Sequence, residues 1–318
     1  MTGFPGYRGV RTLVLGGTGF IGREVARQLS DAGALLHLPA RDPAAAAREW
    51  ARSGVNGVHL QADLARPGSA AELLRSVRPT ITFNLAGYGV DPLQSDPVLA
   101  ERLNHIMVEE LAAAAGSVPD QSWPGQNLVH AGSAAEYGAA TGSLREDTPP
   151  QPTGLYGRTK GAGTEAIVRA TRAGLVRALA VRLFTVYGPG ERSGRLLPAL
   201  IEAARTGRDL PLTAGTQRRD FTYLEDVAEG LLRLGLLGGA EIEPVNLATG
   251  ILESVRRFAE RAAAVLQLPL ARLRFGELAG RPDEMAHDAV SVARLRTLCG
   301  WVPHTTVEEG VRRTIASR

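Results

Sequence analysis

The sequence predicts an α/β fold, a doubly wound parallel sheet with a smaller mixed C-terminal lobe. Short apolar runs alternate with longer segments of helical periodicity through the first 185 residues. Strand–helix alternation of this kind builds a parallel sheet that is covered by helices on both faces. After Gly188 the alternation stops and Pro and Gly become frequent, as in Y-G-P-G-E-R-S-G. Such punctuation is typical of a lobe made of short elements.

Each element of the larger domain follows from its own pattern. Six apolar runs have the length of buried strands, at 12–15, 34–38, 58–61, 81–85, 127–131 and 178–184. Five segments between them repeat apolar residues at helical spacing, at 19–32, 43–53, 69–77, 98–115 and 155–173. We expect residues 1–185 to form the larger domain, completed by 220–248. The smaller lobe is expected to comprise 186–219 and 249–318.

Composition excludes several classes of protein. A hydrophobic share of 44% with 22% charged residues is ordinary for a soluble globular chain. The net charge of +3, from 36 basic and 33 acidic residues, is too small to indicate nucleic-acid binding. Cys299 is the only cysteine and the six histidines show no metal-ligand spacing, so neither a disulfide nor a metal site is expected. Without a signal peptide or an 18-residue apolar run, we expect a cytoplasmic protein that binds no membrane.

The run V-L-G-G-T-G-F-I-G at 14–22 lies between the first strand and the first helix. Gly16 and Gly17 permit a tight turn there, and Gly19 lets backbone N–H groups approach a pyrophosphate. Gly22 lets the helix pack closely on the sheet, with the phosphates at the helix N-terminus. The run therefore predicts a Rossmann domain that binds a dinucleotide.

The end of the second strand indicates which dinucleotide is bound. Where a ribose-binding carboxylate is expected, the chain has Ala40 followed by Arg41, and Arg23 follows the last glycine of the first turn. Two guanidinium groups suit a 2′-phosphate, so we expect NADP(H). The alternative is that Arg41 is a solvated loop residue and Asp42 holds a ribose hydroxyl, in which case NAD(H) is the cofactor.

Tyr156 and Lys160 are four residues apart and share one face of a predicted helix. A neighbouring ammonium and the positive charge of an oxidised nicotinamide would lower the pKa of the phenol. Such a pair can donate or accept a proton near neutral pH. Ser133 ends a predicted strand, where its hydroxyl can hydrogen-bond the same substrate oxygen. These three residues are the predicted catalytic group.

Taken together, the motifs resemble an extended short-chain dehydrogenase/reductase of the nucleotide-sugar epimerase/dehydratase family. They occur in the family's order from residue 12 to about residue 313, nearly the whole chain. The matching segments are GGTGFIG (16–22), QADL (61–64), NLAG (84–87), LNHIM (103–107), GSAAEYG (132–138), YGRTK (156–160), RLFTVYGPG (182–190), RRDFTYLEDVA (218–228), RPDE (281–284) and GWVP (300–303).

The resemblance implies a role for individual residues. Asp63 and Leu64 would bracket the adenine, Ala86 and Gly87 would line the cofactor cleft, and Asn104 would hold the catalytic helix or a relay water. The cofactor-binding set is then Gly16, Gly19, Phe20, Ile21, Gly22, Arg23, Arg41, Asp63, Leu64, Ala86, Gly87, Tyr156 and Lys160. The substrate-binding set is Ser133, Thr185, Arg219 and Arg281, in which the two arginines grip the diphosphate. Two positions depart from the family, since Thr185 replaces an asparagine and Asn84 replaces a histidine.

Members of the family carry out 4,6-dehydration, 4-epimerisation, decarboxylation or ketone reduction. Dehydratases have Asp-Glu directly after the catalytic serine or threonine, whereas this chain has Ala134 and Ala135. Methyl groups cannot transfer protons, so dehydration is disfavoured. GSAAEYG and the downstream REDTPPQP most resemble the 4-keto-6-deoxyhexose reductases. We therefore expect an NADPH-dependent 4-ketoreductase of a nucleotide-diphosphate sugar, with thymidine as the first choice of base and guanosine as the second.

Two other functions stay open at this point. An NAD-dependent nucleotide-sugar 4-epimerase needs the same acid–base residues. A non-enzymatic NADP sensor would share the fold, but such proteins commonly lose the catalytic Tyr or Lys, and both are present here. The resemblance also implies a homodimer, formed by the helices at 98–115 and 155–173.

Overall fold

The computed structural model describes residues 3–90, 94–117, 122–280 and 287–317. Its strands are β1 (Arg11–Leu15), β2 (Leu35–Ala40), β3 (Val58–Gln61), β4 (Ile81–Asn84), β5 (Leu128–Ser133), β6 (Ser143–Leu144), β7 (Ala178–Leu183), β8 (Thr185–Tyr187), β9 (Leu210–Leu212), β10 (Arg218–Tyr223), β11 (Val245–Leu247), β12 (Leu252–Ser254), β13 (Leu273–Phe275) and β14 (Ala289–Val290).

Helices connect most of these strands. The α-helices are α1 (Phe20–Asp31), α2 (Pro43–Arg52), α3 (Ser69–Val77), α4 (Pro97–Glu101), α5 (Met107–Gly116), α6 (Leu155–Arg172), α7 (Leu196–Thr206), α8 (Leu224–Gly235), α9 (Val255–Val265), α10 (Ala293–Cys299) and α11 (Val307–Ala316). A π-helical segment, Arg102–Ile106, joins α4 to α5, and 3-10 turns lie at Pro5–Tyr7, Ala134–Glu136 and Leu270–Arg272.

Seven strands form one sheet in the order β11-β7-β5-β4-β1-β2-β3, and every neighbouring pair is parallel. The strand order reverses between β1 and β4, and ligands of such sheets bind in the crevice at that reversal. The predicted doubly wound fold is confirmed. The six predicted strands lie within two residues of their observed bounds.

Helices cover both faces of this sheet because its strands are apolar on both sides. Along β1, Leu13 and Leu15 point to the face that α3 and α5 cover, and Val14 points to the opposite face, covered by α1 and α8. All three side chains are fully buried. The alternation explains why residues 13–15 of the strand are a continuous hydrophobic run in the sequence.

The smaller lobe surrounds a separate hydrophobic cluster, which includes Tyr187, Leu200, Phe221 and Phe258. Its three-stranded sheet is mixed, because β10 pairs with β8 in parallel and with β12 antiparallel. The segment after β10 returns to the larger sheet, where α8 packs on β5 and β7 and β11 extends the edge. The residue boundaries of the two domains stay a prediction.

The predicted helix at 98–115 is observed as α4, the π-helical segment and α5 in direct succession. It begins where the Asp96 carboxylate accepts hydrogen bonds from the amides of Val98 (2.9 Å) and Leu99 (3.2 Å). Pi-helical turns inside α-helices occur often at functional sites. None of the helices in the described ranges is long and apolar enough to span a lipid bilayer.

Candidate active site

A cleft of about 620 Å³ opens at the carboxyl ends of the central strands, beside the reversal of strand order. Its volume is in the range of small-molecule sites. Eleven of the predicted site residues line this cleft: Gly19, Phe20, Ile21, Gly22, Ala86, Gly87, Ser133, Tyr156, Lys160, Thr185 and Arg219. The structure therefore brings most of the predicted cofactor residues, all three catalytic residues and three of the four predicted substrate residues, Ser133 among them, to one place.

The glycine run forms the floor of the cleft in the way that its sequence predicts. Gly16 has a φ of +77°, and a Cβ there would lie 2.7 Å from the Ala86 amide nitrogen. A Cβ on Gly22 would overlap the Gly16 carbonyl oxygen. The N-cap of α1 is Gly19, which has no side chain to satisfy the first amides of the helix, so those amides are open to an anion. The cradle fits a dinucleotide pyrophosphate.

The two arginines expected at the 2′-phosphate have different environments. Arg23 forms an ion pair with Glu49 and donates to the Gly190 carbonyl oxygen at 3.2 Å. Arg41 is exposed and has no hydrogen bond or ion pair within the part of the chain that the structure describes. Neither lies in the cleft wall that the described residues form. Arg41 is thus the guanidinium that is free to meet a phosphate, while that of Arg23 already has a carboxylate partner.

Carboxylates near the adenosine end have local structural partners. Asp42 caps α2 by accepting a hydrogen bond from the Ala45 amide at 3.0 Å, which accounts for its position without a ribose. Asp63 accepts from the Ala65 amide at 3.0 Å and is exposed. Leu64 is partly buried against the cluster beneath α3 and α5. Oδ1 of Asp63 has a second lone pair, and this lone pair and the other carboxylate oxygen remain available to a nucleotide.

Ser133 is the last residue of β5, and a capping box fixes its position. Its backbone amide donates to Oε1 of Glu136 at 2.7 Å, and its hydroxyl accepts from the Ala135 amide at 3.1 Å. The hydroxyl oxygen thus accepts from the backbone and keeps its own proton for another partner.

Glu136 is a positioning residue that the sequence did not reveal. Its side chain is fully buried, where Oε2 accepts from Nε of Arg182 at 2.9 Å and Oε1 accepts from the Thr164 hydroxyl at 2.9 Å. Arg182 also donates to the Tyr137 hydroxyl at 3.0 Å. The buried ion pair links β5, β7 and α6 directly behind Ser133. In the sequence, a buried glutamate inside E-Y-G is indistinguishable from a surface one.

The first two turns of α6 carry Tyr156 and Lys160 into the cleft. The helix packs so closely on the 3-10 turn after β5 that a Cβ on Gly157 would overlap the Ala135 carbonyl oxygen. Lys160 is buried and its Nζ donates to the Ala131 carbonyl oxygen. Burial lowers the pKa of Lys160 to about 8, although the carboxylate of Glu136 opposes this shift. The ammonium is still mostly protonated at pH 7.

The phenol of Tyr156 differs from the expectation drawn from the sequence. Burial raises its pKa to about 12, the negative charge of Glu136 acts in the same direction, and a hydrogen bond with Ser133 opposes both. Lys160 is not among the groups that shift this pKa, and its ammonium donates to the Ala131 carbonyl oxygen. The phenol is therefore protonated at neutral pH, which suits a proton donor.

Asn104 lies in the π-helical segment and holds the catalytic helix. Its Nδ2 donates to the Thr159 hydroxyl of α6 at 2.9 Å and to the Tyr88 carbonyl oxygen at 2.8 Å. Its Oδ1 accepts from the Tyr88 amide at 2.9 Å. Asn84, the other departure from the family pattern, is within 3.0 Å of Nδ1 of His130 and accepts from the Ala86 amide at 3.3 Å. It therefore supports a wall of the cleft.

The substrate side of the cleft contains more charge than the sequence indicated. Thr185 begins β8 and Arg219 lies in β10, and both line the cleft. Arg281 lies outside the described residues. Five further ionisable residues line the same cleft and were missed, namely Glu191, Arg192, Arg195, Asp220 and His287. The first three lie in the Gly/Pro-rich loop after β8, where composition alone indicated only a turn.

The chain was compared with known families and proteins. Residues 12–246 match the NAD dependent epimerase/dehydratase family. The dTDP-6-deoxy-L-talose 4-dehydrogenase (NAD(P)(+)) of Kitasatospora kifunensis is 33% identical over 318 residues, covering 95% of this chain and 93% of that protein. A probable dTDP-4,6-dihydroxy-2-methyloxan-3-one 4-ketoreductase of Streptomyces antibioticus is 30% identical, covering 71% and 67%.

A solved structure shows the same architecture. MoeE5 in complex with UDP-glucose and NAD superimposes with a TM-score of 0.80 at 26% identity, covering 96% of this chain and 97% of that one. The family match spans well over half of the chain and includes the glycine cradle, Ser133, Tyr156 and Lys160. The chain therefore belongs to the NAD dependent epimerase/dehydratase family of extended short-chain dehydrogenases/reductases.

Proposed function

We propose that this protein reduces the 4-ketone of a nucleotide-diphosphate-4-keto-6-deoxyhexose, with NADPH as the reductant and a thymidine nucleotide as the first choice. One observation carries the proposal. Ser133 and Tyr156 meet in the cleft, while Ala134 and Ala135, which follow the serine, also line it. The cleft thus has the groups that polarise and protonate a carbonyl, and methyl groups where a dehydratase needs an acid and a base.

The residues that would hold the cofactor fit its chemistry. The cradle of Gly16, Gly19 and Gly22 leaves space and open amides for the pyrophosphate. Ala86 and Gly87 leave room beside β4, and Lys160 presents a buried ammonium to the ribose of the nicotinamide. When bound, the reduced nicotinamide supplies a hydride to the carbonyl carbon of the substrate.

Tyr156 is the proposed general acid. Because its pKa is raised to about 12, the phenol is protonated at pH 7 and can donate to the developing alkoxide. The Ser133 hydroxyl, whose oxygen already accepts from the Ala135 amide, keeps its proton to stabilise the same oxygen. The ammonium of Lys160 donates to the Ala131 carbonyl oxygen, so its proposed role is to hold the ribose of the nicotinamide and not to lower the pKa of the phenol.

The relatives support a reaction at the 4-position. The relative from Kitasatospora kifunensis is named as a 4-dehydrogenase of dTDP-6-deoxy-L-talose, and the reverse of that oxidation is reduction of a 4-ketone. The relative from Streptomyces antibioticus is named as a probable 4-ketoreductase. Preference for NADPH over NADH rests on Arg41, which is exposed at the end of β2 and without a partner in the described ranges.

A direct assay tests the proposal. Purified protein is incubated with dTDP-4-keto-6-deoxyglucose and either NADPH or NADH, and nicotinamide absorbance and sugar products are followed. We expect NADPH oxidation with loss of the ketone, faster than with NADH. Stable NADPH in the presence of the ketone would contradict the proposal.

The second candidate is an NAD-dependent nucleotide-sugar 4-epimerase. It is favoured by the ion pair between Arg23 and Glu49, which places a carboxylate beside one of the two expected phosphate ligands. MoeE5, which has a similar fold, is described in complex with UDP-glucose and NAD. Interconversion of saturated nucleotide sugars without net oxidation of the cofactor would support this candidate.

We also propose a cytoplasmic homodimer that pairs the long helix of residues 97–116 and α6 with their copies. Val98 and Ile106 on that helix are 76% and 40% exposed, so the helix presents apolar side chains that a second copy would cover in the proposed dimer. Replacing both with Glu is expected to convert a dimer into a monomer in analytical ultracentrifugation. A wild-type protein that is monomeric at all concentrations would contradict this part of the proposal.

A further inference from the structure

Glu191 is a buried carboxylate that the proposed reaction does not use. It lies in the loop between β8 and α7, and its side chain is only 7% exposed. Oε1 accepts from Nε of Arg195 at 3.3 Å. Oε2 is buried and has no hydrogen-bond partner within the described ranges. A buried, unsatisfied acceptor of this kind is costly, so its presence calls for a function.

The position of Glu191 limits what its free oxygen can meet. The residue lies in the wall between the catalytic cleft and a second cavity of about 570 Å³ beside α7. Its partner Arg195 lines the catalytic cleft and is not part of the wall of the second cavity. Arg195 is also close enough to Tyr156 to lower the pKa of the phenol. The Glu191–Arg195 pair therefore belongs to the side where the reaction takes place.

The charges around this pair indicate the chemistry of the missing partner. Arg192, Arg195 and Arg219 line the same cleft, and they suit the phosphates of a nucleotide ligand. A carboxylate among them would repel those phosphates, but it can accept hydrogen bonds from hydroxyl groups. Burial raises the pKa of Glu191 to about 7, although Arg195 and the backbone amide of Gly188 act in the opposite direction.

We propose that Glu191 is a specificity-determining residue: one carboxylate oxygen holds Arg195, and the other, which is shielded from solvent in the ligand-free cleft, turns toward the bound ligand and accepts a hydrogen bond from one of its sugar hydroxyls. The inference rests on the proposed function in that the cleft binds a nucleotide sugar and a dinucleotide. The hydroxyl belongs either to the hexose or to a ribose of the dinucleotide, and binding measurements distinguish these two sources.

The test compares affinities by calorimetry for wild type, Glu191→Leu and Glu191→Gln. The ligands are dTDP-glucose and UDP-glucose, dTDP and UDP as their sugar-free counterparts, and NADPH. If the hexose is the donor, Glu191→Leu lowers the ratio of the nucleotide-sugar affinity to the nucleotide affinity by roughly tenfold or more. If the ribose is the donor, the affinity for NADPH falls by that factor instead.

Two controls separate binding from folding. Glu191→Gln keeps the size of the side chain and an acceptor oxygen. We expect this variant to fold even if Glu191→Leu does not, and to lose less affinity than Glu191→Leu. Glu229→Leu removes a glutamate that pairs with Arg233 at the same i,i+4 spacing on α8, outside the cleft, and should change no affinity.

Retention of every affinity within about twofold in folded Glu191→Leu would overturn the inference. The proposed function fails separately, when NADPH stays unoxidised in the presence of the keto sugar. A loss of nucleotide-sugar affinity in that case would still support the hydrogen bond from Glu191.

Discussion

Replacing Glu191 with Gln should change how the stability of the protein depends on pH. Burial raises the pKa of this carboxyl from an ordinary value near 4.5 to about 7. The native state therefore favours the protonated form more strongly than the unfolded chain does. The stability associated with the protonated carboxyl is present below about pH 4.5 and is lost as the pH rises through 7.

The size of the effect follows from the same shift. Each pH unit between the two pKa values corresponds to about 1.4 kcal/mol, and the side chain is only 7% exposed, so little of this is screened by solvent. Wild type should lose about 1–3 kcal/mol of unfolding free energy between pH 5 and pH 8 through this one group. Glutamine has the same shape and no charge to bury, so the variant escapes the loss.

Urea unfolding at pH 5 and pH 8 measures the effect, and the difference between variant and wild type cancels the titration of all other groups. We expect Glu191→Gln to gain about 1–3 kcal/mol relative to wild type at the higher pH. Glu308→Gln is the control, because its ion pair with Arg261 lowers the pKa of Glu308 to about 2. The stabilising effect of the ionised Glu308 is lost only as the pH falls toward 2. The difference in unfolding free energy between Glu308→Gln and wild type should therefore be constant from pH 5 to pH 8. If the unfolding free energies of Glu191→Gln and wild type differ by the same amount at pH 5 and pH 8, the reasoning that burial disfavours the charged form of Glu191 is refuted.

Three further substitutions test other parts of the site. Tyr156→Phe should lower kcat by about 10²- to 10⁴-fold in the ketone-reduction assay, while calorimetric NADPH binding stays within about twofold; near-wild-type turnover would exclude the phenol as the acid. Arg41→Asp should weaken NADPH relative to NADH by roughly tenfold or more because it replaces a phosphate partner with a like charge, and an unchanged ratio in binding titrations would refute the 2′-phosphate assignment. Glu136→Gln should cost about 3–5 kcal/mol in urea unfolding because it leaves the buried Arg182 without its counter-charge, and a loss below about 1 kcal/mol would show that the pair contributes little.

The fold was predictable because its pattern is strong and local. Both faces of β1 are buried, so 13–15 is continuously apolar, and a side chain at Gly16 or Gly22 would overlap neighbouring backbone atoms. Tyr156 and Lys160 share a helix, so their spacing alone placed them on one face. Ser133 could be placed because it ends a strand of a parallel sheet.

Features that depend on contacts distant in the sequence were not predictable. Glu136 is fully buried because Arg182 lies on the adjacent strand, and nothing near residue 136 indicates that partner. The pairing of Arg23 with Glu49 depends on how α2 packs beside α1. The pKa of Tyr156 depends on burial, on Ser133 and on the charge of Glu136, and none of these can be read from a spacing of four residues.

Transfer of isotope from the cofactor to the sugar tests the central claim most directly. NADPH that carries deuterium at the transferable position of nicotinamide C4 is incubated with dTDP-4-keto-6-deoxyglucose, and the product is examined by mass spectrometry and NMR. One deuterium bonded to C4 of a 6-deoxyhexose is expected with wild type, and the same labelled product should form about 10²- to 10⁴-fold more slowly with Tyr156→Phe. A wild-type product without deuterium at C4, or label that stays in the cofactor while saturated sugars interconvert, would contradict reduction of the ketone in this cleft.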